Sequence, residues 1–191
     1  FAVGLVSRFM EDPSKEHWSA VKRIIRYIAG TLDYGVKFRK GISTGLSLIG
    51  FTDSDCSGDL VHRKSTSGIL FFLGLNPVTW SSQKQKVVAL SSCEAEYVAA
   101  ALGACQGVWL NMLIADITGR ATEKFKLLVD NISAIELSKN PVFHDRSKHI
   151  DTRYHYIRDC IAKEVVDVSH VGTDDQLADI LTKPLGRVKF V

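Results

Sequence analysis

Leu46-Ser47-Leu48-Ile49-Gly50-Phe51-Thr52-Asp53-Ser54-Asp55 is an apolar run that ends on two acids. Its aliphatic and aromatic content, flanked by Gly- and Ser-containing stretches, predicts a strand over 46–53. Phe125-Lys126-Leu127-Leu128-Val129 repeats the pattern and ends on Asp130. Between the two, an Ala-rich segment over 92–117, closed by Gly119, predicts one long helix. Working outward, further strands are expected over 68–73, 78–81 and 165–171, and helices over 131–139 and 151–163. A last helix is expected to open at Thr173-Asp174-Asp175. The order β-β-β-α-β-α-α-β-α implies an α/β fold, a mixed sheet with helices on its faces.

Four acids fall at the edges of these elements: Asp53, Glu96, Asp130 and Asp179. Carboxylates are hard oxygen ligands, and several in one cleft repel unless divalent cations neutralise them. That combination is the requirement of two-metal phosphodiester chemistry. Each acid also has an ordinary reading. Asp53 and Asp55 lie in good turn chemistry and at period two share a face. Glu94 and Glu96 lie near the start of the long helix, where an acid complements the helix dipole. Glu96 shares its face with Ala99, Ala100 and Gly103, small residues suited to close packing on a sheet. Asp130 would cap the next helix, and Asp179 would be an exposed helical acid. Four at compatible edges are harder to dismiss than any one.

At 191 residues and 46% hydrophobic content, a single packed core is expected. The net charge of +3 is mild, but acids gathered in one site would leave the remaining surface more basic, so nucleic acid stays open as a partner. Residues 1–40 hold eight Lys/Arg against four Asp/Glu, and Asp12-Pro13 predicts the start of an amphipathic helix carrying Trp18, Val21, Ile25 and Ile28 and stopping near Gly30. The four cysteines are irregularly spaced with no zinc pattern, which favours reduced thiols and a cytosolic or nuclear setting. No membrane span is expected from the apolar runs. The opening Phe1-Ala2-Val3-Gly4-Leu5 reads as the middle of a longer protein.

Other polar clusters are less specific. Arg63, Lys64 and Ser65, in the link between two strands, offer cations and a hydroxyl to phosphates, as does Lys148-His149 before a helix. His170, nine residues before Asp179, is a candidate proton carrier.

Taken together these stretches resemble the ribonuclease H domain of a copia-type LTR-retrotransposon polyprotein. The resemblance rests on Phe51-Thr52-Asp53-Ser54-Asp55, Arg63-Lys64-Ser65-Thr66-Ser67-Gly68, Trp80-Ser81-Ser82-Gln83-Lys84-Gln85 and Ala89-Leu90-Ser91-Ser92-Cys93-Glu94-Ala95-Glu96-Tyr97. It continues through Asp130-Asn131, Asn140-Pro141-Val142-Phe143-His144, Lys148-His149-Ile150-Asp151 and Asp175-Gln176-Leu177-Ala178-Asp179-Ile180-Leu181-Thr182-Lys183-Pro184-Leu185. Three positions depart from the family's habit: Cys56 replaces an aromatic, Val61-His62 a more acidic pair, and Cys105-Gln106 a stretch that often carries Glu.

The resemblance implies a five-stranded ribonuclease H-like sheet over 42–185, preceded over 1–41 by the trailing segment of a reverse transcriptase and followed by a shortened tail over 186–191. It assigns the catalytic and metal-binding roles to Asp53, Glu96, Asp130 and Asp179, choosing Asp53 over Asp55 and Glu96 over Glu94. It further implies two Mg²⁺ ions about 4 Å apart, with Mn²⁺ as a substitute, and an RNA/DNA hybrid as substrate. Asp55, Arg63, Lys64, Ser65, Ser92, Asn131, Lys148 and His149 are candidate substrate contacts. The implied partners are the reverse transcriptase and integrase portions of the parent polyprotein, and the implied location is the element's cytoplasmic virus-like particle, or the nucleus. The rivals are an inactive relic that binds nucleic acid weakly and another two-metal nuclease. Transposases place Glu last and proofreading exonucleases pair Asp and Glu on one strand; here Glu comes second, on a helix.

Overall fold

A computed structural model describes residues 1–40, 47–56, 58–59, 62–121, 123–140 and 152–186. Its five strands are β1 (Leu48–Ser54), β2 (Thr66–Leu73), β3 (Asn76–Lys84), β4 (Phe125–Val129) and β5 (Val166–His170), in the spatial order β3-β2-β1-β4-β5. The first three form an antiparallel meander. β4 and β5 add parallel to β1, which requires a crossover before each.

The β2–β3 hairpin closes on a two-residue turn, Gly74-Leu75, with Gly74 at φ 59°, where a side chain would be strained. β3 runs from Asn76 to Lys84, longer than the 78–81 expected. Its polar Ser and Gln residues hide the strand from any apolar pattern, and the ladder to β2 extends it. Pro77 is tolerated because β3 is an edge strand and a bulge lies opposite it at Phe71/Phe72.

Helix α3 (Ser92–Thr118) crosses the sheet between β3 and β4. Ser91 caps it by accepting from Glu94 N, and Gly119 ends it in the left-handed conformation at φ 67°. Its inner face is small so that the helix can lie close. A Cβ on Gly103 would fall 2.4 Å from Thr52 Cγ2, and one on Gly107 would fall 2.3 Å from Phe125 Cε2. By length and composition α3 would also pass for a membrane span; in the fold it is the central core helix, and half of its most apolar stretch is buried. Phe71, Tyr97, Phe125, Leu127, Val129, Ile157, Val166 and Val168 complete that core.

Helix α4 (Ile132–Lys139) follows β4 with Asn131 as its cap. The helix expected over 151–163 is a 3-10 turn, Thr152–His155, running into α5 (Tyr156–Ala162). The last helix does not open at Thr173. Thr173–Asp175 is a separate 3-10 turn, and α6 is Asp179–Thr182. Between them Gln176 is extended (ψ 97°), because its side chain donates to Thr52 O at 2.9 Å and accepts from Ala178 N at 3.2 Å.

Before the sheet lie α1 (Ala2–Ser7) and α2 (Lys15–Ala29). α2 begins two residues beyond the expected cap. Ser14 Oγ accepts from His17 N, and His17 Nδ1 accepts from Ser14 N at 3.0 Å, a reciprocal box that Asp12 does not form. Hydrogen bonds tie the segment to the meander: Arg8 donates to Thr66 Oγ1 at 3.3 Å, and Arg39 exchanges two hydrogen bonds with Asn76.

Candidate active site

Thr52 and Val129 pair across the parallel β1–β4 ladder, so the residues that follow them, Asp53 and Asp130, stand side by side at the carboxyl end of that ladder. Carboxyl ends of parallel strands are where α/β sheets place their ligands. The first turns of α3 bring Glu96 to that edge, where its Oε1 accepts from Ser54 N at 2.9 Å. The result is one cluster: oxygens of Asp53, Glu96 and Asp130 all lie within 4.8 Å of one another. Asp53 and Glu96 are buried and Asp130 is half-buried. Glu96 Oε2 is buried and meets no hydrogen-bond donor among the described residues.

Asp179 arrives on α6 from the other side. Lys183 Nζ donates to Asp179 Oδ1 at 2.7 Å and lies 3.8 Å from Asp53 Oδ2, while Thr182 Oγ1 donates to that same Asp53 oxygen. Pro184 forces its predecessor into extended backbone, and Lys183 stands at ψ 154°, closing the helix. α6 rests directly on β2 at Gly68, the residue paired with Asp53. A Cβ there would fall 2.8 Å from Thr182 Cγ2 and 2.9 Å from Ala178 O. Ser82 adds a hydrogen bond of 2.6 Å to Leu181 O. We therefore expect Gly68→Ala to lift α6 and draw Asp179 and Lys183 away from Asp53. Overpacking of this kind costs about 1–3 kcal/mol, so the melting temperature should fall by several degrees. A variant that melts like the wild type would show that this contact does not hold the helix.

The electrostatics follow from the burial and crowding of these acids, with Lys183 set against Asp53, Asp130 and Asp179. Burial, then the charges of Asp53 and Asp130, push the Glu96 carboxyl up to about 9, against the Ser54 N–H that favours its anion. Asp53 is raised mainly by burial, with Thr182 and Lys183 pulling the other way. Asp130 is raised by burial and then by Asp179. Burial alone would lower Lys183; its hydrogen bond to Asp179 and the charges of Asp53, Asp179 and Asp130 outweigh that and raise it.

Comparison with known proteins fits this geometry. The chain is 43% identical over 190 residues to the retrovirus-related Pol polyprotein from transposon RE2 of Arabidopsis thaliana, covering 100% of this chain and 13% of the relative. It is 44% identical over 189 residues to the Pol polyprotein from transposon TNT 1-94 of Nicotiana tabacum, covering 99% of this chain and 14% of the relative. The homologues of this chain are copia-type Pol polyproteins, which match it along its whole length at 43–44% identity. The chain spans about one-eighth of the length of the Pol polyproteins it matches. No protein-family model matches it.

The fold of this Pol segment is that of ribonucleases H. It superposes on LC11-RNase H1, isolated from compost by a metagenomic approach, with a TM-score of 0.54 at 15% identity, covering 72% of this chain and 94% of that one. The N-terminal RNase H domain of a Mycobacterium tuberculosis protein gives a TM-score of 0.50 at 15% identity, covering 72% and 91%.

Within the Pol segment the two ambiguous pairs of acids have separate environments. Asp55 is turned into its own hairpin: its Oδ1 accepts from Thr66 N, and a Cβ on Gly58 would collide with its Oδ2. Glu94 Oε2 accepts from Leu90 N at 2.7 Å, ahead of the helix. Arg63 is exposed at φ 55° and Lys64 half-buried in the same hairpin loop. Ser65 is fully buried, and its carbonyl accepts from Gln85 N at 2.7 Å. Ser92 is exposed at the start of α3, and Asn131 Oδ1 caps α4 through Ala134 N at 3.0 Å. His170 is exposed at the end of β5, paired with Val129 and therefore beside Asp130. Lys148 and His149 lie outside the described residues.

Sequence reasoning gave no role to three residues that build the site. Lys183 stands four after Asp179, a spacing that could have suggested the pair. Thr182 holds Asp53. Buried Gln85 donates to Ser54 Oγ, Ser67 Oγ and Ala95 O, tying β1, β2 and the start of α3 together.

Proposed function

We propose that this Pol segment is a divalent-metal-dependent ribonuclease H that hydrolyses the RNA strand of RNA/DNA hybrids during reverse transcription. The observation that carries the reading is the convergence of Asp53, Glu96 and Asp130 within 4.8 Å, with Asp179 joined to Asp53 through Lys183. The donor set fits a hard cation: every ligand is a carboxylate oxygen, and Glu96 Oε2 is buried without a donor. Asp53, Glu96, Asp130 and Asp179 would hold two Mg²⁺ ions, or Mn²⁺ in their place. Such ions supply an activated water and neutralise charge growing on the scissile phosphate and the departing oxygen.

The chain's own residues do the rest. Ser54 N–H and Thr182 Oγ orient the Glu96 and Asp53 carboxylates. His170, exposed beside Asp130, is the group we assign to carry protons to and from solvent. Exposed Arg63 and Ser92 suit contacts to the nucleic-acid backbone. Selectivity for the hybrid would come from 2′-hydroxyl contacts and duplex shape rather than base sequence. In this reading the reverse transcriptase and integrase portions of the parent polyprotein are its partners, and the reaction runs in the element's cytoplasmic virus-like particle.

The test is an RNA/DNA hybrid labelled on either strand. With Mg²⁺ or Mn²⁺ the purified chain should cut the RNA strand and spare the DNA strand and a DNA duplex of the same sequence; EDTA should reduce cleavage to background. Equal cutting of both strands would contradict the reading.

A further inference from the structure

The four carboxylates are not equivalent. Glu96 is held by a backbone N–H on one oxygen, and its other oxygen is buried without a donor. Asp179, by contrast, already has a cation on it. Lys183 Nζ sits 2.7 Å from Asp179 Oδ1 and 3.8 Å from Asp53 Oδ2, between the two acids. The position is built by the chain. Lys183 follows Asp179 by one helical turn, Pro184 fixes its backbone, and Gln176, Gly68 and Ser82 seat α6 on the sheet. Thr182, the residue before it, binds the same Asp53 oxygen that Lys183 approaches.

Resting on the metal-dependent reading above, we infer that Lys183 is a resident counter-ion of the Asp53–Asp179 pair, which a divalent ion must displace before it can bind there. An ammonium within 4 Å of both carboxylates occupies the space such an ion would need, and two cations cannot share it. Lys183 touches the cluster of Asp53, Glu96 and Asp130 only at its Asp53 edge; among the described residues no cation lies within 4 Å of the Glu96 or Asp130 carboxylate. Loading is therefore ordered: the three-carboxylate cluster fills first, and the Asp53–Asp179 pair fills second, as Lys183 swings away. Its side chain is 43% exposed, so water is open to it.

The test is a Mn²⁺ titration of the full chain followed by electron paramagnetic resonance of the free ion, with no substrate present. Wild type should take up one ion tightly and a second weakly. Lys183→Met keeps the length of the side chain and removes the charge; it should tighten the second step about tenfold and leave the first nearly unchanged, the scale expected for a partly screened charge at this distance. Lys183→Arg keeps the charge and should retain the weak second step. A Lys183→Met isotherm identical to wild type would overturn the inference while leaving the metal-dependent reading intact. No uptake by wild type at millimolar Mn²⁺ would overturn the metal-dependent reading itself. A measurement on unaltered protein guards against a variant that fails to fold: the ¹³Cε resonance of Lys183 should move with the second Mg²⁺ equivalent. Movement with the first would overturn the order.

Discussion

Asp53→Asn should leave hybrid binding intact or slightly tighter and lower cleavage by roughly a thousandfold, since metal-ion stabilisation of the transition state is worth several kcal/mol. Asp53 joins both halves of the site, as a member of the cluster with Glu96 and Asp130 and as the neighbour of Lys183 and Thr182. The amide keeps the shape and removes the charge that would hold an ion, and one fewer negative charge eases the approach of phosphates. Asp130→Asn should behave alike. Asp55→Asn is the contrast. Its carboxylate accepts from Thr66 N within the hairpin, so the variant should retain most activity and lose about 1 kcal/mol of stability. Cleavage and melting measured on all three variants decide the matter. Activity that survives Asp53→Asn and vanishes in Asp55→Asn would reverse the assignment.

Glu96 should make the protein's stability in EDTA fall as pH rises. Its carboxyl is pushed up to about 9 in the folded state from an ordinary 4.5, so the folded protein keeps a proton that the unfolded chain releases. The associated stability is fully present below about 4.5 and is lost as pH climbs toward 9. Asp53 and Asp130 are raised as well and add in the same direction. At pH 8 the deficit is on the order of a few kcal/mol. Glu96→Gln should remove most of this slope and melt roughly 5–10 °C higher than wild type at pH 8 in EDTA, while losing activity. Mg²⁺ should reverse the wild-type deficit, because an ion replaces the protons, and its stabilising effect should be larger at pH 8 than at pH 5. A wild-type melting temperature in EDTA that rises between pH 5 and pH 8 would contradict the burial and crowding of this carboxylate.

How much of this was legible in the sequence depends on where the physics is local. The apolar runs ending at Asp53 and Asp130 and the Ala-rich helix between them carry their own periodicity, and the elements stand where that periodicity predicts. β3 was under-read because its Ser and Gln residues owe their strand conformation to the ladder with β2, a partner no local pattern reveals. The start of α2 was misplaced because Asp12-Pro13 is a good local signal, and the His17 ring, reaching back to Ser14, is a better one. The break at Gln176 depends on Thr52, 124 residues away in the chain. The acids themselves were individually ambiguous. Resemblance chose Asp53 and Glu96, and the structure places both in the cluster with Asp130, while Asp55 and Glu94 accept from backbone N–H groups of their own turns. Lys183 was invisible as a site residue because a lysine four after an aspartate is commonplace on helices; only the sheet beneath α6 turns that pair toward Asp53.

The chemistry of the RNA ends tests the central claim most directly. If the carboxylate site directs water at the phosphate, RNA cut from a hybrid in Mg²⁺ should carry 3′-hydroxyl and 5′-phosphate ends, and the products should disappear together in EDTA and in Asp53→Asn. Products ending in a 2′,3′-cyclic phosphate, or cleavage that persists in EDTA, would mean that the 2′-hydroxyl rather than a metal-activated water is the nucleophile, and would contradict the account.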